Sequence, residues 1–380
     1  MDSTLIFNIL QKTTNHFVDM NTKVKSKNND LVSIINTSLG WHKARATFLA
    51  VLIKAMLQLQ TVNFIKLSQG IESNVKTSSN LRRIQRFFSE YLFSEETIAK
   101  LLFAMLPFKE NCRLCLDRTN WKFGETNINI LMLSVAYQGI SFPIMWKMLA
   151  KRGNSNSEER NDLINRFIHL FGTNCIESLL ADREFIGEQW FDELLRNNIP
   201  FYIRIKENMW INVPGKGRKK AFWLFNDLPL NKEKHYYKPV SYRGRELYLS
   251  GARVIGKNKQ LEFVIIATYK RDLQALTMYK QRWQIETMFK AFKSSGFNLE
   301  ETHLTNIDRI SKLVAVICIA FSWAYIIGVF VHLTIKMIVI KKHGRKAMSF
   351  FKYGLNFIAN VILNRKTNDY NKCVKLLSCT

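Results

Sequence analysis

Apolar positions along this chain follow three successive rhythms. Through roughly the first hundred residues they recur at helical spacing. Residues 44–62 form one amphipathic run, and another opens at Ser78 as a capping residue and carries Arg82, Arg83 and Arg86. Pro107 marks a boundary, after which the period shortens to two. Residues 113–117, 127–137, 140–146, 176–182 and 201–206 read as strands, with a turn at Gln138-Gly139 and helices over 157–171 and 187–197. Three strands, helix, strand, helix, strand is the order of a mixed α/β domain on a five-stranded sheet. Residues 207–268 then form a β-rich insert, with hairpin-like pieces at 234–242, 246–255 and 261–269. Helical spacing returns and continues to the end. The expected division is a helical region over 1–106, a central α/β domain over 107–310 and a helical region over 311–380.

One stretch tests this soluble reading. Residues 313–335 carry no charge and are long enough to cross a membrane. Ser322, His332 and Thr334 interrupt the run and no other segment matches it, so a helix buried against a large core is expected, with no membrane partner. The first residues lack a basic region and a small-residue cleavage site, so no signal peptide is expected. The six cysteines show no disulfide-like pattern and suit reduced thiols in the cytoplasm. Cys112 and Cys115 have the spacing of half a zinc site, but no second pair lies close by, and no structural zinc is expected.

Charge changes the picture more. Fifty-six Lys and Arg against thirty Asp and Glu leave a net charge of +26, spread along the whole chain. Such an excess repels itself unless the partner is a polyanion, which puts nucleic acid first and an acidic membrane surface second. A hydrophobic content of 47% with twenty-seven Phe describes a folded protein rather than a basic disordered one. The charge is best organised at Tyr279, Arg282, Glu286, Lys290 and Lys293, spaced by 3, 4, 4 and 3 residues. At about 100° per residue a helix gathers all five into an arc of roughly 80°, while Ile285, Met288, Phe289 and Phe292 form a separate, core-facing stripe. A solvated surface face has the same composition, so the rest of the chain must decide.

Two further acids do so. Asp117 and Asp182 each close an apolar strand, where an unpaired carboxylate is costly to bury. Acids converging on divalent cations remove that cost, and hard oxygen ligands suit Mg²⁺ or Mn²⁺. With Asp117-Arg-Thr-Asn-Trp-Lys around the first acid, Ala181-Asp182-Arg-Glu-Phe around the second, and Tyr279, Arg282, Glu286 and Lys293 meeting a Tyr-x2-Arg-x3-Glu-x6-Lys signature, the chain resembles a DDE transposase of the IS4 family over residues 110–310.

The resemblance implies a ribonuclease H-like catalytic domain carrying the β-rich insert. It implies that Asp117, Asp182 and Glu286 hold two Mg²⁺ or Mn²⁺ ions. Arg282, Lys293 and Tyr279 would contact phosphates near the scissile bond, with Lys290 assisting one turn beyond Glu286. It implies double-stranded DNA partners, the inverted-repeat ends and a target, engaged by a homodimer. It also implies a cut-and-paste reaction by nicking, hairpin formation, opening and strand transfer. The helical N-terminal region would recognise the ends. A Trp of the insert could stack a flipped base; Trp210 and Trp223 lie there, and both are expected to pack inside the hairpin core. A nuclease that cuts without joining, or a DNA-binding descendant without chemistry, carries many of the same residues.

Overall fold

A computed structural model describes residues 31–377, apart from 257, 343 and 345. The expectations for residues 1–30 and for Cys379 lie outside these residues. The helical start comprises α1 (Leu31–Leu39), α2 (Lys43–Leu59), α3 (Phe64–Gly70), α4 (Thr77–Glu90) and α5 (Glu95–Ala104). The central order follows: β1 (Cys112–Phe123), β2 (Thr126–Tyr137), β3 (Ile140–Met148), α6 (Ser157–Phe171), β4 (Ile176–Ala181), α7 (Glu188–Arg196) and β5 (Phe201–Ile205). The ladder runs β3-β2-β1-β4-β5, antiparallel across the first three strands and parallel from β1 through β4 to β5. A near-continuous apolar β2 suits its place between β3 and β1, because it is buried on both faces. Helix α6 starts on a capping box between Asn156 and Glu159, which satisfies its first free amides.

The insert extends the same sheet. Strands β6 (Trp210–Val213), β7 (Gly217–Lys220), β8 (Glu233–His235), β9 (Val240–Tyr242), β10 (Arg245–Ile255) and β11 (Leu261–Thr268) join through the antiparallel β5–β11 pair. The piece expected over 234–242 divides into β8 and β9, which pair with β10 and not with each other. Pro239 lies between them and offers no amide to a ladder. Strand β1 also departs from expectation. It continues to Phe123 because β2 pairs with it that far, so Asp117 lies within β1 rather than at its tip.

After the insert come α8 (Ala275–Lys280), α9 (Trp283–Lys293), α10 (Ile307–Thr334), α11 (Phe350–Leu363) and α12 (Thr367–Lys375). The uncharged run lies in α10, and 83% of its most apolar window is buried within the protein, against β3, α2 and α11. Gly328 and Gly354 let α10 and α11 meet backbone to backbone; a Cβ on Gly328 would run into the Phe350 carbonyl and one on Gly354 into the Ala324 carbonyl. One continuous core runs from Leu31 to Leu377. The boundary expected at residue 310 thus falls inside a helix that packs on both the sheet and the N-terminal helices.

Candidate active site

The parallel rungs between β1 and β4 end at Leu116 opposite Ala181. Asp117, within β1, and Asp182, just past the end of β4, are the residues that follow this rung, so the sheet itself brings them to the same edge of the ladder. Each carboxylate accepts the amide of the following residue, Arg118 N to Asp117 Oδ1 and Arg183 N to Asp182 Oδ1, both at 2.7 Å. These bonds hold both carboxyl groups against their own backbone.

The third acid arrives on α9, which packs across β3 and also meets β1 and β2. The expected single helix from Tyr279 to Lys293 is broken: α8 ends at Lys280, and α9 begins at Trp283. Between them the amides of Arg282, Gln284 and Ile285 reach back three residues to Tyr279, Gln281 and Arg282. A three-residue turn eclipses side chains at i and i+3. Tyr279 and Arg282 are therefore stacked one over the other, and Arg282 Nε donates to the Tyr279 hydroxyl at 3.2 Å.

Arg282 is the hub. It is 6% exposed. Its Nη1 donates to Asp117 Oδ2 at 3.0 Å and its Nη2 to Glu286 Oε1 at 2.7 Å. Tyr279 passes the link on, its hydroxyl donating to Asp182 Oδ1 at 3.1 Å. All three acids are thereby joined through one guanidinium and one phenol. Burial pushes Asp117 up to about 7 despite the adjacent Arg282. Burial also lifts the Tyr279 phenol to about 12, which keeps its proton for Asp182. Desolvation opposes the charge on Arg282, but Tyr279, Asp117 and Glu286 outweigh it and raise its pKa.

Around this hub lies a layer that the sequence motifs did not single out. Arg118 grips Glu184 with Nε and Nη2, both at 3.2 Å. That ion pair ties the residue after Asp117 to the loop after Asp182. Arg118 also reaches Asn129 and Asn154. Buried Arg160 of α6 pins the same loop from behind, donating to the carbonyls of Glu184 at 3.0 Å and Ile186 at 3.3 Å and lying over the Phe185 ring. A signal was available for Arg118 and Glu184, since each sits one or two residues from an acid. None was available for Arg160, an arginine on an amphipathic helix.

The remaining expected residues divide. Lys293 is tied to Glu300 at 2.7 Å and to the Asn120 carbonyl at 3.1 Å, on the Asp117 side of the sheet. Lys290 is exposed one turn beyond Glu286. A cavity of about 520 Å³ opens beside Tyr279 and Arg282, walled by Val254 and Val264 and edged by exposed Trp283. Trp210 and Trp223 are not packed in the hairpin: they are 49% and 37% exposed. Strand alternation on β6 turns Ile211 and Val213 inward and leaves Trp210 outside. Arg218 lies 4.8 Å over the Trp210 ring and Lys216 4.9 Å over Trp223.

Three carboxylates on a sheet and a helix are a donor set suited to a hard divalent cation. Asp117, Asp182 and Glu286 could hold one. Among the described residues no three acid, His or Cys side chains are gathered closely enough to chelate an ion together. Arg282 stands between Asp117 and Glu286 as the counter-cation for both. An ion entering between them would take over that charge.

The Transposase DDE domain family matches residues 109–323, from just before β1 to the middle of α10, and the match contains all three acids. No curated protein matches the chain. With more than half its length in that match, and an aspartate following the last paired rung on each of two neighbouring parallel strands, the chain belongs to the DDE transposases.

Proposed function

We propose that the protein excises and inserts a DNA element, using Asp117, Asp182 and Glu286 as the ligands of two Mg²⁺ or Mn²⁺ ions. The observation that carries this reading is the linkage of all three acids through Arg282 and Tyr279, because it gathers acids distant in sequence around one point. When bound, the metals would polarise the scissile phosphate and lower the pKa of the attacking hydroxyl or water. The chain's own part is positional. Were bound ions to take over the charge of Glu286 and Asp117, Arg282 would be free to turn its fork towards a phosphate, with Tyr279 oriented beside it. Lys290 and Lys293 extend the positive charge along the same helix, towards the strand leaving the site. Exposed Trp210 and Trp223, each beside cations, suit contact with unstacked bases at a DNA bend.

The proposed reaction is cut-and-paste at terminal inverted repeats by an IS4-type sequence of nicking, hairpin formation, opening and strand transfer, carried out by a homodimer. The test is incubation of duplexes bearing the element's own ends with Mg²⁺, then separation of products under denaturing conditions. Nicked, hairpin and joined products are expected, all abolished by EDTA. Cutting without hairpin or joined products would instead identify a nuclease.

A further inference from the structure

Away from the acids, a groove of about 740 Å³ lies between α4 and the start of α10. On α4 its wall is Arg82, Gln85, Arg86 and Ser89, spaced as one face of a helix, while Ile84, Phe87 and Phe88 hold the opposite face in the core. Across the groove stands Arg309, in the first turn of α10, where the positive end of a 28-residue helix adds to its charge. Arg83 does not belong to this set, since its guanidinium lies over the Phe48 ring.

The carboxylates around the groove are already engaged. Glu301 pairs with Lys66, Glu300 with Lys293 and Asp308 with Lys312. Glu90, the acid at the end of α4, makes no ion pair with Arg86 among the described residues. Among the described residues, three arginines, a glutamine amide and a serine hydroxyl thus face one concave surface with no carboxylate paired to them. Every one of these side chains can donate to a phosphate oxygen, and the arginines can do so with two N–H groups.

We propose that this groove is a second DNA-binding site, one that grips the phosphate backbone of a duplex without reading its bases. The inference rests on the reading that DNA is the substrate. It adds that the grip is shared between the N-terminal helices and a residue inside the family-matched region, so neither part holds it alone. The segment between the two sites is continuous: Lys293 of α9 is bound by Glu300, the neighbouring Glu301 is bound by Lys66 of α3, and Arg309 follows. A duplex leaving the acids past Lys293 would be carried along this segment to the groove.

The test is fluorescence anisotropy of a labelled duplex from the element's end and of a scrambled duplex of the same length, across a range of salt, for wild type and the triple variant Arg82→Ala, Arg86→Ala, Arg309→Ala. Each phosphate contact contributes about 0.9 to the slope of log affinity against log salt, so the variant should lose about 2 to 3 in slope and on the order of a hundredfold in affinity near 0.15 M salt. The loss should be equal for both duplexes. The all-Lys triple variant should recover most of the slope, which separates lost charge from misfolding. An unchanged slope in the Ala variant, or a loss confined to the end sequence, overturns the proposal. So does a loss seen on duplex RNA but not on DNA. If wild type binds with the expected slopes yet never cuts with Mg²⁺, the catalytic reading falls and the groove stands; if it cuts and the slope does not change, the reverse holds.

Discussion

Arg282 carries more of the site than a phosphate contact would require. A buried guanidinium must have its donors satisfied, and here Asp117, Glu286 and Tyr279 do so. The sequence spacing put Arg282 on the right face but could not reveal that it would be buried among acids. Arg118 and Glu184 stood inside the motifs, but their pairing was not legible, and Arg160 gave no signal at all, since the partners lie on a strand, a loop and a helix far apart in sequence. Orienting partners of metal ligands typically account for 10–100-fold in metal affinity. Arg118→Ala or Glu184→Ala should therefore weaken Mn²⁺ binding, measured by titration calorimetry, by about tenfold or more. Asp117 gives a pH dependence with a definite sign. Its folded-state pKa, raised to about 7, lies above the unfolded value, so the stability it contributes is full below about pH 4 and is lost as pH rises through about 7. Urea midpoints of the metal-free protein should fall over that interval. Mn²⁺ affinity should rise over the same interval, because the ion displaces the proton.

At the scale of elements, the five central strands were legible because each is an apolar run of strand length, and two of them lead directly into acids. What alternation could not supply was pairing. The register that carries β1 past Asp117 comes from β2, and the split of β8 from β9 comes from Pro239 and from a shared neighbour, β10. The phase of β6 similarly decided that Trp210 faces out, against the expectation of a packed ring. The long apolar α10 was legible as a helix, and its burial follows from the glycines that bring α11 against it. Gly354→Leu would force a branched side chain into the Ala324 carbonyl. It should destabilise the protein by at least about 3 kcal/mol in urea unfolding, or prevent folding altogether.

Across the whole molecule, one core joins the N-terminal helices, the extended sheet and the C-terminal helices. The division expected at residues 106 and 310 followed changes in periodicity, which mark changes of element type and not limits of packing. A fragment of residues 107–310 would expose the faces that α2, α4 and α10 cover. It should be recovered as aggregate, or as a species without a cooperative melt, whereas the full chain should melt cooperatively by circular dichroism. The positive charge is likewise a property of the whole, running from Arg82 to Lys293 and across the insert, a spread that suits a polyanion larger than the site. The central claim is that the acids gathered around Arg282 perform metal-dependent strand cleavage. Glu286→Gln tests it most directly, because the amide oxygen can still accept from Arg282 and preserve the fold while the ligand charge is lost. With Mg²⁺ and end-bearing DNA, the variant should bind the duplex as wild type does and release neither nicked nor hairpin product. Cleavage equal to wild type would contradict the account.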